Sequence, residues 1–401
     1  MRVHLRTKKD KQLKQGYPWI FKNQLDRTEG EPTTGDVVEI VGADGVRYGR
    51  GFYHAESLIA VRFLTRDLER PIDAAFFRER LEAALRLRQG LYPDPPHYRL
   101  AFSESDGLPG TIIDRYGDVL TWSCVCAGMA QRRDLLLDLL EELLEPQAIV
   151  ERNDSWLRAK DGLPASTSVL RGALPETVLV QEGPVQMHVD MLAGPKTGLF
   201  LDQRGHRNLV GRLAQGRHVL DVCCADGGFG LQAALGGAAS VHFLDIAPAA
   251  LERVQRNVAL NAAHTPDLPD RCTYEAADAL DHLPTLRDRT PAFDFIVLDP
   301  PGFAKQRRQV EQATRAYQRL NITALQMLPP GGLLATSSCS GALPEADFLK
   351  IIEYSARKAG VRLRLLHHGS QPPDHPTLMT MGETRYLKFF LFEHAGPYLP
   401  A

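Results

Sequence analysis

From about residue 181 the chain is punctuated by short apolar runs that stop at acids or run into glycine-rich turns. No other feature restricts the possible folds as much. Val219-Leu-Asp-Val222, Ser240-Val-His-Phe-Leu-Asp245, Phe293-Asp-Phe-Ile-Val-Leu-Asp299 and Gly332-Leu-Leu-Ala-Thr336 are too short for helices. Helical patterns over Pro248–Asn261 and Val310–Leu328 lie between them. Strand and helix in alternation build a doubly wound parallel sheet, whose strands are covered on both faces and so lack polar alternation.

At 401 residues the chain is too long for one ordinary core, since domains run to ~100–200 residues. Three domains are expected, at residues 1–71, 72–180 and 181–401. The first reads as a small β-barrel: Asp36–Val41 alternates, Gly42-Ala-Asp-Gly45 is a turn, and Ser57–Leu64 is a strand. Arg47-Tyr-Gly-Arg-Gly51 suggests a bulged or tightly bent strand. The middle piece is α+β: helices over Ile72–Leu91 and Met129–Leu144, with strands around Leu108–Asp114, Val119–Val125 and Ala148–Arg152.

Several classes are disfavoured by composition. Six cysteines without a C-x-x-C argue against a disulfide framework or a zinc site. No apolar stretch approaches the ~20 residues of a membrane span, and Met1–Arg6 lacks the apolar core of a signal peptide. A cytoplasmic protein without membrane contact is expected. The net charge of −2 carries no nucleic-acid signal. Residues 1–22, however, hold seven basic side chains against Asp10 alone, a local charge of +6. Lys8, Lys9 and Lys11 in that run are either a solvated edge or a phosphate-facing patch.

In open α/β sheets ligands bind beyond the carboxyl ends of the strands, and here those ends are polar. Asp221-Val-Cys-Cys-Ala-Asp-Gly-Gly-Phe-Gly230 follows the first strand, with Gly227 in a turn that lets backbone approach a ligand. Asp245 closes the second strand, where a carboxylate can accept from a ribose diol. Both features also suit a dinucleotide, but G-x-G-x-x-G is absent, and S-adenosylmethionine, having no phosphate, tolerates a blunter loop. Asp278 is either an acceptor for an adenine amine or a helix N-cap.

The segment Val297-Leu-Asp-Pro-Pro-Gly-Phe-Ala-Lys305 ends the fourth strand. Its prolines stiffen the backbone behind Asp299, whose carboxylate can bond the polar edge of a planar base, with Pro300 and Phe303 as flat apolar surface and Lys305 close by. Ser337-Ser-Cys-Ser-Gly341 ends the next strand. Cys339 is either a small core residue or a nucleophile. Cytosine C5 becomes reactive only when a thiolate adds at C6, so a thiol on this rim suits that chemistry. Cys223 and Cys224 are rivals, at the cofactor loop.

These residues resemble the RlmI-type bacterial 23S ribosomal RNA cytosine-5 methyltransferases, over nearly the whole length. Lys11–Phe21 resembles the start of that family's PUA domain, and Glu104–Gly110 with Asp114–Asp118 its central domain. Gly194-Pro-Lys-Thr-Gly-Leu-Phe-Leu-Asp-Gln-Arg204 is similar to its K-T-G-x-x-L-D-Q-R signature, with Asp202 and Arg204 leading into the cofactor site. Asp299–Phe303 and Ser338–Gly341 match its D-P-P-x-F and S-C-S-G motifs, and His375-Pro and Tyr386-Leu-Lys388 its carboxyl-terminal end.

The resemblance implies a Rossmann-like methyltransferase domain behind a PUA barrel, S-adenosylmethionine as donor, RNA as partner and Cys339 as nucleophile. A homodimer is compatible with it. Three positions depart from the family: His206 stands for Asn, Ala225-Asp226 for Tyr-Thr, and Gly382-Glu383 for Pro-Glu. Asp226 would add negative charge beside the sulfonium. Three rivals remain: a guanine-N7 methyltransferase on the same scaffold, which needs no Cys339; a nicotinamide oxidoreductase; and a non-catalytic RNA-binding module.

Overall fold

Alternating and β-branched sequence builds the amino-terminal part as one six-stranded sheet in the computed structural model, which describes residues 1–92, 97–155, 157–287, 292–304 and 306–398. The strand order is Trp19–Phe21, Ile59–Thr65, Arg47–Tyr53, Val37–Val41, Arg2–Leu5, Leu25–Glu29. The two outermost strands are joined by the single turn Lys22–Gln24. Laid flat, they would stand ~24 Å apart, beyond the ~14 Å that this connection can reach. The sheet is therefore rolled up, with Val3, Leu5, Leu13, Ile20, Val38, Ile40 and Val61 buried together. The bend expected at Arg47–Gly51 is present. Register shifts between Arg50 and Gly51, and a Cβ at Gly49 would lie 2.2 Å from the Thr65 carbonyl oxygen.

A five-stranded sheet follows, ordered Ser166–Gly172, Ala148–Asn153, Val119–Cys124, Thr111–Tyr116, His97–Phe102. Helices Ala74–Leu91 and Arg133–Leu144 cover it through Phe76, Phe77, Leu81, Leu136, Leu137 and Leu140. The second of these starts later than its apolar pattern suggests, after a separate turn at Ala127–Ala130. Strand His97–Phe102 escapes sequence reading because it carries charge. Arg99 is buried in a two-pronged pair with Asp114, at 2.8 and 2.9 Å.

Both sheets lie in the first of two compact units, Met1–Val178 with Val189–Leu201 and Pro373–Thr384. Buried polar contacts anchor its two later segments: Thr197 donates to Asp114, and the Arg99 amide donates to Asp374 at 2.9 Å.

The second unit comprises Leu179–His188, Asp202–Pro372 and Arg385–Ala401. Its first helix, α1 (Arg204–Leu213), precedes a seven-stranded sheet. In chain order the elements are β1 (His218–Val222), α2 (Gly228–Leu235), β2 (Ser240–Asp245), α3 (Pro248–Ala262), β3 (Cys272–Ala276), β4 (Phe295–Leu298), α4 (Val310–Met327), β5 (Leu333–Ser338), α5 (Glu345–Ala359), β6 (Val361–Gly369) and β7 (Lys388–Pro397). The sheet order is β3-β2-β1-β4-β5-β7-β6. The first five strands are parallel, while β7 runs antiparallel to both β5 and β6. The winding reverses between β1 and β4, which opens a crevice at their carboxyl ends. The parallel sheet follows from the sequence rhythm; the antiparallel pair at its edge does not.

Candidate active site

Asp221 is the penultimate residue of β1 and is fully buried. Its Oδ2 accepts from the Gly230 amide at 2.8 Å, and its Oδ1 has no protein partner among the described residues. Burial pushes its pKa up to about 7, Asp299 and Asp245 add to the rise, and the Gly230 amide and Arg207 oppose it. The turn that follows holds two non-glycine residues in the left-handed region, Cys223 and Ala225, together with Gly227 at φ +80°. The glycines of this turn are also required by packing within the unit. A Cβ at Gly227 would meet Val254 at 2.9 Å, one at Gly228 would meet Arg207 at 2.6 Å, and one at Gly230 would meet Phe243 at 2.2 Å.

Asp245, at the end of β2, accepts from the Ala225 amide at 3.0 Å and the Ala247 amide at 2.9 Å. Its carboxylate is thus fixed and only partly buried, and each oxygen keeps a lone pair. Ile246 beside it is 66 % exposed. This large apolar surface at a strand end is a feature that motif reading passed over. Asp278 is exposed and caps the short helix Ala279–His282, its Oδ1 accepting from the Leu280 amide at 2.8 Å. Asp226 does not add an uncompensated charge, because Arg253 of α3 pairs with it.

Asp299 follows β4 and is held by two donors, Gln203 Nε2 at 2.9 Å and the Ser337 hydroxyl of β5. Gln203 is fixed in turn by His206, whose Nδ1 lies 2.6 Å from Gln203 Oε1. His206 stacks on Phe389 with ring centres 4.0 Å apart. Burial, then the neighbouring His367, lower its pKa to about 3, so the ring is neutral and its Nδ1–H donates. Gln203 and His206 thus aim Asp299 through a chain of side chains that D-Q-R alone does not disclose.

Cys339 follows β5 and is half-buried. Its flanking serines are locked: Ser338 and Ser340 both bond the buried Tyr317 hydroxyl of α4, at 2.9 and 3.0 Å, and the Ala304 amide donates to Ser340 Oγ at 3.1 Å. A Cβ on Gly302 would sit 3.3 Å from Cys339 Sγ, so glycine there lets the Asp299 loop lie against the thiol. Phe303 packs edge-on against Tyr317 at 4.9 Å. Pro300 is buried, and Pro301 is the exposed ring of the pair. Burial raises the pKa of the other five thiols, to about 12 at Cys124 and about 11 at Cys272. At Cys223 and Cys224 surrounding carboxylates push the same way, which disfavours either as a nucleophile.

Asp202 is buried and accepts from the Tyr386 hydroxyl at 2.6 Å. Arg204 lies 3.8 Å from Glu182, which also binds Arg207. Lys8, Lys9 and Lys11 are exposed in the first unit. Neighbouring charges in their run are answered: Arg2 pairs with Glu29 and Glu39, Lys14 with Asp10, and Lys22 with Glu56. Lys305 lies outside the described residues.

Asp245 and Asp299, at the ends of β2 and β4, form a negative edge suited to a cationic ligand, and the buried Asp221 Oδ1 at the end of β1 offers an acceptor to a donor the protein does not supply. Residues 3–66 match the profile of a PUA-like domain, and residues 156–392 match that of S-adenosylmethionine-dependent methyltransferases. Two solved structures share the fold over 98% of this chain and all of theirs. One is a Streptococcus mutans protein provisionally assigned to the SAM-dependent methyltransferases (TM-score 0.80, 21% identity). The other is a provisionally assigned methyltransferase complexed with SAH (TM-score 0.81, 22% identity). Fold, edge acids and profile together define an S-adenosylmethionine-dependent methyltransferase, which excludes the oxidoreductase and the non-catalytic module.

Two curated relatives narrow the class further. Ribosomal RNA large subunit methyltransferase I of Shewanella amazonensis is 39% identical over 391 residues, 97% of this chain and 98% of its own. That of Aeromonas hydrophila is 39% identical over 390 residues, 96% and 97% of the two chains. The chain belongs to the ribosomal RNA large subunit methyltransferase I family.

Proposed function

We propose that this enzyme methylates C5 of a cytosine in large-subunit ribosomal RNA through a covalent bond between Cys339 and C6. The observation that carries the proposal is the placement of Cys339: a partly accessible thiol after β5, against Gly302 of the Asp299-Pro-Pro loop. A methyltransferase acting on a more nucleophilic ring nitrogen has no use for such a thiol.

S-adenosylmethionine supplies an electrophilic methyl group. Asp221, Asp245 and the apolar face of Ile246 would hold it, and the exposed Asp278 would offer it the carboxylate oxygen that the Leu280 amide does not use. RNA reaches the site with the target base out of its stack, and the barrel and its exposed lysines take backbone phosphates. Asp299, aimed by Gln203 and Ser337, accepts from the cytosine N4 amine. The Cys339 sulfur bonds to C6 as the C5–C6 π pair shifts to C5, which makes that carbon the nucleophile. After C5 is methylated, its proton passes to water, the C5–H pair becomes the C5–C6 π bond, the C6–S bond breaks with its pair going to sulfur, and the thiolate is restored.

Mass-spectrometric mapping of ribosomal RNA from a deletion strain complemented with wild type or with Cys339→Ala tests this. 5-Methylcytidine present with wild type and absent with the variant supports it. A site methylated equally by both overturns the covalent route and favours guanine N7 as the target. Light scattering at twice the chain mass would establish the homodimer this reading admits.

A further inference from the structure

Lys388 opens β7 directly across from Ser338, with which it pairs in register. It is 4 % exposed. A long charged side chain is rarely buried without a counter-charge, because the charge loses its hydration. Its Nζ donates to the Ser340 carbonyl at 2.7 Å and the Tyr386 carbonyl at 2.8 Å. These two neutral acceptors take two of its three protons. Among the described residues no carboxylate forms an ion pair with it.

Two groups interact favourably with its charge: Cys339 first, then Glu345 at the start of α5, while burial itself lowers its pKa to about 8. Glu345 is already answered by Arg385 at 3.0 Å and His368 at 3.2 Å. The hydroxyls around it carry no charge. Tyr317 of α4, bonded to Ser338 and Ser340, stays neutral, its pKa pushed up to about 12 by burial. The cation therefore sits at the turn Ser338–Ser340, held on the Ser340 carbonyl and paired in register with Ser338, with Cys339 between those two residues.

We infer that Lys388 is the positioning counter-charge that holds Cys339 as a thiolate before the RNA base arrives, an inference that rests on Cys339 being the nucleophile as proposed above. In the free enzyme the thiol proton passes to solvent and no other bond changes. The ammonium stays bonded to the Ser340 and Tyr386 carbonyls, and its field favours the anion of the adjacent side chain.

The test is iodoacetamide alkylation of the full chain across pH 6 to 10, with Cys339 read by peptide mass spectrometry. Wild type should show an apparent thiol pKa below the ordinary ~8.5. Lys388→Met should slow Cys339 alkylation at pH 7 about tenfold, the equivalent of one pKa unit, with S-adenosylmethionine binding retained as proof of fold. Lys388→Arg should restore the wild-type profile. A wild-type value at or above the ordinary one overturns the inference even if Lys388→Met does not fold, as does a Met variant that titrates like wild type. The assay involves no methyl transfer, so methylation by Cys339→Ala would refute the nucleophile while leaving this pair intact. An unperturbed thiol in an enzyme that needs Cys339 would refute only the pair.

Discussion

Replacing Asp221 by Asn should stabilise the free enzyme above neutral pH while weakening its hold on S-adenosylmethionine. The side chain is fully buried, and one of its two oxygens has a protein donor. Burial and two neighbouring carboxylates raise its pKa from 3.8 to about 7. The sign follows from linkage. The folded state keeps this proton over a window, roughly pH 4 to 7, in which the unfolded chain has released it. Stability from this group therefore falls as pH rises through that window, and the penalty is complete above pH 7. A shift of about 3 units corresponds to about 4 kcal/mol at 1.36 kcal/mol per unit. Asn avoids that penalty but leaves an amide donor where Oδ1 now stands, which costs ~1–3 kcal/mol. The net gain at pH 8 is ~1–3 kcal/mol, and it should shrink by ~2–3 kcal/mol at pH 5, where Asp221 is protonated in the fold. Urea unfolding of both proteins at the two pH values measures this, and calorimetry reads the expected loss of cofactor affinity. A stability difference that does not change between pH 5 and pH 8 would refute the buried, proton-holding carboxylate.

Other expectations are simpler. Asp245→Ala should weaken S-adenosylmethionine binding by ~1–3 kcal/mol through loss of charge-assisted acceptors; calorimetry showing equal affinity would remove Asp245 from the site. Replacing Lys8, Lys9 and Lys11 together by Gln should lower the salt slope of RNA binding by about 2–3, at ~0.7–0.9 per phosphate contact, and leave cofactor affinity alone; an unmoved slope makes the run a solvated edge. His206→Asn keeps an amide donor within the chain to Asp299 and should retain most turnover, whereas His206→Leu frees Gln203 and should lower kcat about tenfold or more. Equal rates in the two variants would show that Gln203 needs no such support.

What the sequence disclosed was what short-range pattern controls. The parallel strands are continuous apolar runs, and the acids that close them stand at their ends in the fold. The six-stranded barrel core shows as alternation at Val37–Val41. The features that escaped depend on contacts far apart in the chain. Strand His97–Phe102 is disguised by Arg99, tolerable in a core only because Asp114 meets it. The β6–β7 pair is recognisable only once β5 provides an edge to bind. Asp226 reads as a surplus charge until α3 brings Arg253 to it. Tyr317 is an ordinary residue in sequence, and Gln203 and Lys388 lie in motifs that do not disclose their partners; all three matter through the turns they reach after β4 and β5. The glycines of the β1 turn carry a packing demand that the sequence does not show, since side chains of this same unit fill the space a Cβ would need.

The covalent role of Cys339 is tested most directly by trapping. RNA carrying 5-fluorocytosine at the target should form a stable adduct with the wild-type enzyme and S-adenosylmethionine, because fluorine at C5 blocks the elimination that releases the sulfur. The account predicts that the cross-linked peptide contains Cys339, and that Cys339→Ala yields no adduct while still binding cofactor. A cross-link at Cys223 or Cys224, or full turnover of the fluorinated RNA without any adduct, would contradict it.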